Sequence, residues 1–228
     1  MKHIKLILIA LSMVVSLTAC SGGGDATTPD ETTTTTPSDA TTTTPAPTTP
    51  TSGFGLVPFA GGGTYPQSDC VKDYSTGLTW ESKHPANSSL HYVGRTYTNY
   101  DDVTKLQVST GISTGRNPTL SEIDAATNSI GFVNAVNATA LCGYTDWRRP
   151  TKEEIETLGR VSSNGTDTTW LPLNAASSYW TSSPDTNPSH AGLVGEGTSW
   201  FMIFYENEIG ITGLGRARSN PTHLRLVR

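Results

Sequence analysis

The 228-residue chain has little of what most often carries chemistry. Its three cysteines, Cys20, Cys70 and Cys142, include no C-x-x-C pair, and its five histidines, His3, His84, His91, His190 and His223, stand singly. That pattern offers no metal-ligand spacing and no redox motif. No nucleophile elbow and no phosphate-cradling glycine loop occurs, so the sequence assigns no catalytic residue, no metal and no cofactor. The net charge is only -5, with acidic residues dispersed and no basic stripe, which argues against a nucleic-acid partner. The apolar run from Leu6 to Leu17 falls short of the roughly 20 residues a membrane-spanning helix needs. No Gly-X-Y period is sustained, so collagen-driven assembly has no basis here.

What is present begins with an address. Lys2 and Lys5 ahead of the short apolar run form a secretory signal. Its end, Leu17-Thr-Ala-Cys20 followed by Ser-Gly-Gly-Gly, resembles the lipobox of bacterial lipoproteins. The resemblance implies that residues 1–20 end at a cysteine that is acylated and anchors the chain in the membrane; the other reading is an ordinary signal peptide with an incidental cysteine. Ser21 in place of aspartate implies, by the same resemblance, sorting to the outer membrane of a Gram-negative envelope. Residues 21–52 are nearly all Thr, Pro, Ser, Ala, Gly and Asp. Such a segment cannot bury enough apolar surface to offset its ordering entropy and is expected to be a disordered stalk. Its extended reach is on the order of 100 Å.

The remainder, 53–228, is one folded domain. With Cys20 set aside, Cys70 and Cys142 form an even pair in an oxidising compartment, and a disulfide is expected, with two buried thiols or a redox or metal pair as alternatives. Cys70–Asp73 and Leu78–Glu81 flank Tyr74-Ser-Thr-Gly77 as a hairpin with glycine at the positive-φ position. Trp80 is assigned to the core. The stretch 82–120, broken by Pro85, Gly94, Gly111, Gly115 and Pro118, reads as loop with one short helix or strand. Ile130, Val133, Val136 and Leu141 predict a helix over roughly 128–141, weakened at its start by Gly131 and stopped by Gly143. Thr151 and Glu154 have capping-box spacing and open a second helix whose Ile155 and Leu158 face the core. Tyr179–Ser183 reads as a strand. Trp200–Tyr205, apolar at every position, predicts a central strand covered on both faces. Glu206–Glu208 turns into Ile209–Thr212, and His223–Arg228 alternates as a last strand. Strands, helices, then strands again make an α+β domain with two helices on antiparallel sheet.

Cys70-Val-Lys-Asp, Thr76-Gly-Leu-Thr-Trp-Glu81, Leu141-Cys-Gly-Tyr-Thr-Asp-Trp-Arg-Arg-Pro-Thr151, Tyr179-Trp-Thr-Ser-Ser183 and Leu224-Arg-Leu-Val-Arg228 resemble, in order, the motifs of the DUF1566 family, the C-terminal domain of the Legionella collagen-like protein. The resemblance covers about residues 65–228. Arg149 departs from it, standing where the motif has leucine, which suggests an extra charge near the surface. The resemblance implies a C-type-lectin-like fold and a non-catalytic, adhesin-like module for sulfated glycosaminoglycans. The calcium triplets of C-type lectins are absent, Ser183-Pro-Asp185 being a faint echo.

Arg216, Arg218, Arg225 and Arg228 are the candidate ligand-binding cluster, with Arg148 and Arg149 beside them, because guanidinium forks match sulfate and carboxylate. The competing reading pairs Arg225 and Arg228 with Asp73, Asp146 or other acids inside the fold. Trp170, Trp180 and Trp200 either stack on sugars or fill the core. Together the residues describe a lipid-anchored envelope protein displaying a binding domain for an acidic glycan or a host matrix protein, or else a structural envelope module; an enzyme of the formylglycine-generating type, to which the family's fold is related, is the third reading.

Overall fold

The structure, a computed structural model, describes residues 52–111, 114–160, 170–171, 177–186, 197–204, 209–210 and 215–228. Cys20, the signal, all but the last residue of the stalk and the Glu206–Glu208 turn lie outside them. No helix among the described residues is long and apolar enough to cross a membrane.

The first sheet is antiparallel, with β1 (Phe54–Leu56), β2 (Cys70–Asp73) and β3 (Thr79–Glu81) in that order. The β2–β3 turn is the expected hairpin. Gly77 takes φ +79°, and the Asp73 carboxylate accepts from the Ser75 and Thr76 amides and the Thr76 hydroxyl. The irregular stretch contributes a small hairpin, β4 (Val108–Gly111) with β5 (Thr114–Arg116). The third sheet holds β6 (Ser177–Pro184), β7 (Thr198–Phe204), β8 (Ile209–Gly210) and β9 (Arg216–Ala217), with β6, β8 and β9 all pairing with β7. β7 is therefore central, as its composition predicts.

Its two faces meet two apolar clusters. Tyr179 and Met202, cross-strand partners, pack with Val71, Trp80, Ile155, Leu158 and Val227. Trp180, partnered with Phe201, packs with Cys70, Tyr97, Phe132, Trp147, Leu224 and Leu226. Alternation along a strand puts neighbouring residues on opposite faces, so one run of sequence feeds both cores. Cover is less complete than the apolar run implies, because Trp200, Phe201 and Ile203 are only half-buried. Cations supply part of it: the Lys152 Nζ lies 4.3 Å from the Trp200 ring centre, and the Arg216 guanidinium 5.3 Å from that of Phe201.

Three α-helices lie among the described residues. α1 (Leu120–Ile123) is a short turn at the start of the apolar pattern that runs from Leu120 to Leu141, and Thr119 and Glu122 form there the same capping box that Thr151 and Glu154 form at α3 (Lys152–Arg160). α2 spans Ser129–Ala138 and ends earlier than its pattern predicts. Thr139 turns its hydroxyl back to the Val136 carbonyl, Ala140 and Cys142 adopt left-handed φ of 49° and 51°, and Gly143 comes too late to be the stop. Gly131 is no weak point: a Cβ there would lie 2.1 Å from the Ala125 carbonyl oxygen, so the glycine admits the close approach of the α1–α2 turn.

The chain reverses after α2 because Asn137 binds the Trp147 backbone on both sides, accepting from its amide at 2.8 Å and donating to its carbonyl at 2.9 Å. Trp147 itself is buried and donates its indole N–H to the Leu141 carbonyl. Cys142, within this reversal, is disulfide-bonded to Cys70, closing a separation of 72 residues.

Residues 223–228 form no regular strand. The segment is extended but makes only isolated bridges, to Trp80 and Arg148 through Val227 and to Tyr179 through His223. Leu224 to Val227 are all buried rather than alternating, since the segment is enclosed on both sides. Its backbone ties β3 at Thr79 and Glu81 to Arg148 and to Trp180 of β6.

Replacing both Cys70 and Cys142 by serine is expected to cost about 4 kcal/mol, given the length of the loop. The check is the midpoint of urea unfolding; an unshifted midpoint contradicts the stapling role.

Candidate functional site

The four arginines picked out in the sequence do not share a surface. Arg225 is 1% exposed and donates from Nη1 to the Glu81 carbonyl at 2.7 Å. It lies in a buried ionic cluster centred on the Glu81 carboxylate. Glu81 Oε1 is 2.8 Å from the Lys83 ammonium and 2.8 Å from His91 Nδ1, while Oε2 accepts the Leu226 amide at 2.9 Å. Burial pushes the Glu81 pKa up, but Lys83 and His91 together outweigh it and hold the carboxyl down to about 2. Burial lowers the Lys83 pKa against the pull of Glu81, and its ammonium also faces the Phe132 ring at 4.9 Å. This cluster clamps β3 to the 224–228 segment and has no face open to a ligand the size of a sugar.

Arg218 is likewise 1% exposed. Its Nη1 lies 2.8 Å from Asp101 Oδ2 and donates to the Asn99 carbonyl at 2.7 Å. Burial brings its pKa down to about 10, with Asp101 opposing and the charge of Arg149 assisting. Arg225 and Arg218 therefore leave the candidate surface: both guanidinium groups are excluded from water and bond internally through Nη1, while their buried Nε atoms have no hydrogen-bond acceptor among the described residues.

Arg228 pairs with Asp146 at 2.7 Å and lies 3.4 Å over the Tyr144 ring, which is the internal pairing anticipated for it. Its hydrogen bond lowers the Asp146 pKa. Arg148 forks onto Glu154 at 2.7 and 2.6 Å, joining the cap of α3. Asp73, another anticipated partner, is occupied by its own turn.

Arg216 is different. On edge strand β9 it is half-buried, its Nη1 donates to the Thr222 hydroxyl at 2.8 Å and its guanidinium covers Phe201, yet no carboxylate among the described residues reaches it. Arg149, which the leucine-for-arginine departure placed near the surface, is in fact half-buried and turned inward. Its Nη1 donates to Asn99 Oδ1 at 2.8 Å and lies 3.5 Å from the Ser129 hydroxyl. The motif gives its identity but not its depth, which depends on Asn99 coming from 50 residues away.

Asn99 organises this side. Its amide nitrogen donates to the Thr181 carbonyl and the Ser199 hydroxyl, its side-chain oxygen accepts from Ser129 and Arg149, and its backbone pairs with Arg218 in both directions. α2, β6, β7 and the end of β9 thus meet at one fully buried asparagine. Nothing in the sequence singled it out, since a lone Asn in an irregular stretch reads as a turn residue. Of the tryptophans, Trp80, Trp147 and Trp180 are buried, while Trp170 and Trp200 are half-buried. Among the described residues no three His, Cys, Asp or Glu side chains converge as a metal site.

These features define a disulfide-stapled α+β domain with buried ionic clasps and two half-buried arginines, Arg149 and Arg216, that pair with no carboxylate among the described residues. The chain belongs to the Lcl C-terminal domain family, whose model matches residues 69–228. No curated protein and no solved structure matches it.

Because the Glu81 pKa is depressed when folded, its contribution to stability is full above the ordinary carboxyl value of about 4.5 and is lost as pH falls toward 2. Stability is expected to drop through that window, on the order of 3 kcal/mol, and Glu81→Gln should flatten the drop while destabilising the domain at pH 7 by leaving its cations uncompensated. Urea unfolding of both proteins at pH 7 and pH 3 tests this; a wild type equally stable at both refutes it.

Proposed function

We propose that this chain is a lipid-anchored protein of the cell envelope, held through Cys20, whose stalk of residues 21–52 displays a non-catalytic, adhesin-like binding domain. The domain has a C-type-lectin-like plan and recognises acidic or sulfated glycans, or matrix proteins that carry them. The Leu17–Cys20 sequence supports the anchor, and Ser21 supports the outer membrane as its location. The observation that carries the binding reading is Arg216. Of the four arginines first considered, it alone combines partial exposure, an aromatic floor in Phe201 and no acidic partner among the described residues. A guanidinium so placed is oriented before a ligand arrives, with N–H groups left for a sulfate or carboxylate.

A structural envelope module is the second reading, favoured by the internal use of Arg218, Arg225 and Arg228. The two readings separate on a heparin column. Arg216→Ala is expected to weaken retention of the full chain, roughly tenfold in affinity for one charge-assisted contact, with no change in melting temperature. Retention identical to wild type gives the structural reading precedence. Cys20→Ala is expected to move the protein from the membrane fraction to the soluble one; membrane retention of that variant removes the lipid anchor from the proposal.

A further inference from the structure

From Ser52 to Ser68 the chain carries no charged residue, and the middle of that stretch is a small hairpin. Val57 and Tyr65 form its base. The Tyr65 amide donates to the Val57 carbonyl at 2.8 Å, and both side chains pack into the cluster that holds Cys70 and Cys142. Pro58 bridges Thr64, the Phe59 amide donates to the Gly63 carbonyl at 3.2 Å, and the Gly62 amide returns to the Phe59 carbonyl at 3.3 Å. Every residue from Pro58 to Thr64 is exposed. The apolar side chains exposed elsewhere, Val103, Leu106 and Leu120, are flanked in the chain by Asp102, Lys105 and the Arg116–Glu122 pair.

Phe59 is 41% exposed, yet its position is fixed from behind. Its ring lies against Gly63, where a Cβ would come within 2.6 Å of it, and meets the Tyr65 ring edge-on with 5.3 Å between centres. Tyr65 in turn rests its hydroxyl on Gly143, next to the disulfide at Cys142, so that a side chain at that glycine would displace the ring. Gly63 and Gly143 both have positive φ, 120° and 74°. An aromatic pair is thus held at the surface on a frame that ends at the Cys70–Cys142 staple.

We propose that this hairpin is a membrane-contact element, with Phe59 and Tyr65 seated in the interface of the bilayer that holds Cys20. The inference rests on the lipid anchor of the proposed function and concerns how the domain stands on that membrane. Magnitude decides the occupant. Pro58, Phe59 and Ala60 expose on the order of 150 Å² of apolar surface, against about 800 Å² that each partner of a stable protein complex buries. Removing that much from water corresponds to a dissociation constant on the order of 1 mM, too weak to capture a free protein. A surface to which the chain is already tethered is met at an effective concentration of about 1 mM, which is enough. The stalk joins the domain at Ser52, seven residues before Phe59, and its coil dimension of about 30 Å lets the hairpin reach the lipid. Chemistry agrees with the arithmetic. A chain of net charge -5 meets least repulsion from an anionic lipid surface through an uncharged face, and aromatic rings on such a face suit the headgroup boundary. Around Phe59 the hairpin offers a sugar only one polar side chain, that of Thr64.

The test uses the acylated full chain in phosphatidylcholine vesicles, with a nitrobenzoxadiazole label on Ala60→Cys, which leaves Phe59 in place, or on Val103→Cys as the control. The label at position 60 is expected to gain about twofold or more in emission on reconstitution, equally at low and high salt because no charge is involved. The label at position 103 is expected to emit as in water. Phe59→Ser should abolish the gain at position 60 and Phe59→Trp should keep it. Because the gain is read with Phe59 present, the result does not depend on how well the serine variant folds. An anchored chain whose label at position 60 emits as in water overturns the inference and leaves the anchor standing, as does an equal gain at positions 60 and 103 or a gain lost at high salt. A gain that disappears when empty lipid is added at constant protein assigns the hairpin to a second copy and overturns the inference too. A chain that does not stay with the vesicles takes down the anchor, and this inference with it.

Discussion

A single buried carboxylate holds the domain to one arrangement. Glu81 meets an ammonium, an imidazole and a backbone amide through its two side-chain oxygens, while its own carbonyl takes Arg225 and its amide donates to Leu226. Of these partners Lys83, Arg225 and Leu226 are buried and His91 is half-buried. Burying such a cluster contributes little net stability compared with an apolar core of the same volume. What it does is penalise every other register of the 224–228 segment against β3, because a slip of one residue would take the Leu226 amide from the Glu81 carboxylate and the buried Arg225 guanidinium from the Glu81 carbonyl. Both apolar clusters depend on that register, since Val227 belongs to one and Leu224 and Leu226 to the other.

Asn99 does on the other side of the central sheet what Glu81 does on the first. It is neutral, so its bonds are weaker singly, but each joins a different element: the start of α2, the carbonyl of Thr181, the hydroxyl of Ser199 and the backbone at Arg218. The two hubs explain why the arginines divide as they do. Those reached by a hub from inside, Arg225 and Arg218, become part of the frame. Those touched only at one edge, Arg149, or supported by an aromatic ring at the sheet margin, Arg216, have guanidinium N–H groups without a partner among the described residues. The frame and the proposed recognition surface are therefore built from one residue type, separated by how much of the guanidinium the interior has used.

Much of this was legible along the chain, and the legible part is local. Gly77 announces the hairpin because only a residue tolerating positive φ closes it, and Thr151 with Glu154 announces α3 because the cap needs three residues and no tertiary contact. The same cap at Thr119 and Glu122 was overlooked because only one turn of helix follows it. The Cys70–Cys142 bond was expected from the even number of cysteines in the folded domain. The depth of Arg218, Arg225 and Arg149 was not legible, since it is decided by partners 50 to 144 residues away. Nor was the early end of α2, where the apolar pattern continues to Leu141 but Asn137 and Trp147 draw the backbone out of the helix.

The enclosed segment at 222–228 also sets the order in which the molecule can be made. It is synthesised after every residue it pairs with, and those partners, at Thr79, Glu81, Tyr97, Arg148 and Ser178, span most of the domain. A contact such as Leu226 to Glu81 bridges 145 residues. Neither apolar cluster is complete until that strut is in place, so the nascent chain has no finished sub-core in which to settle early. A topology whose closing contacts are this long-range folds slowly.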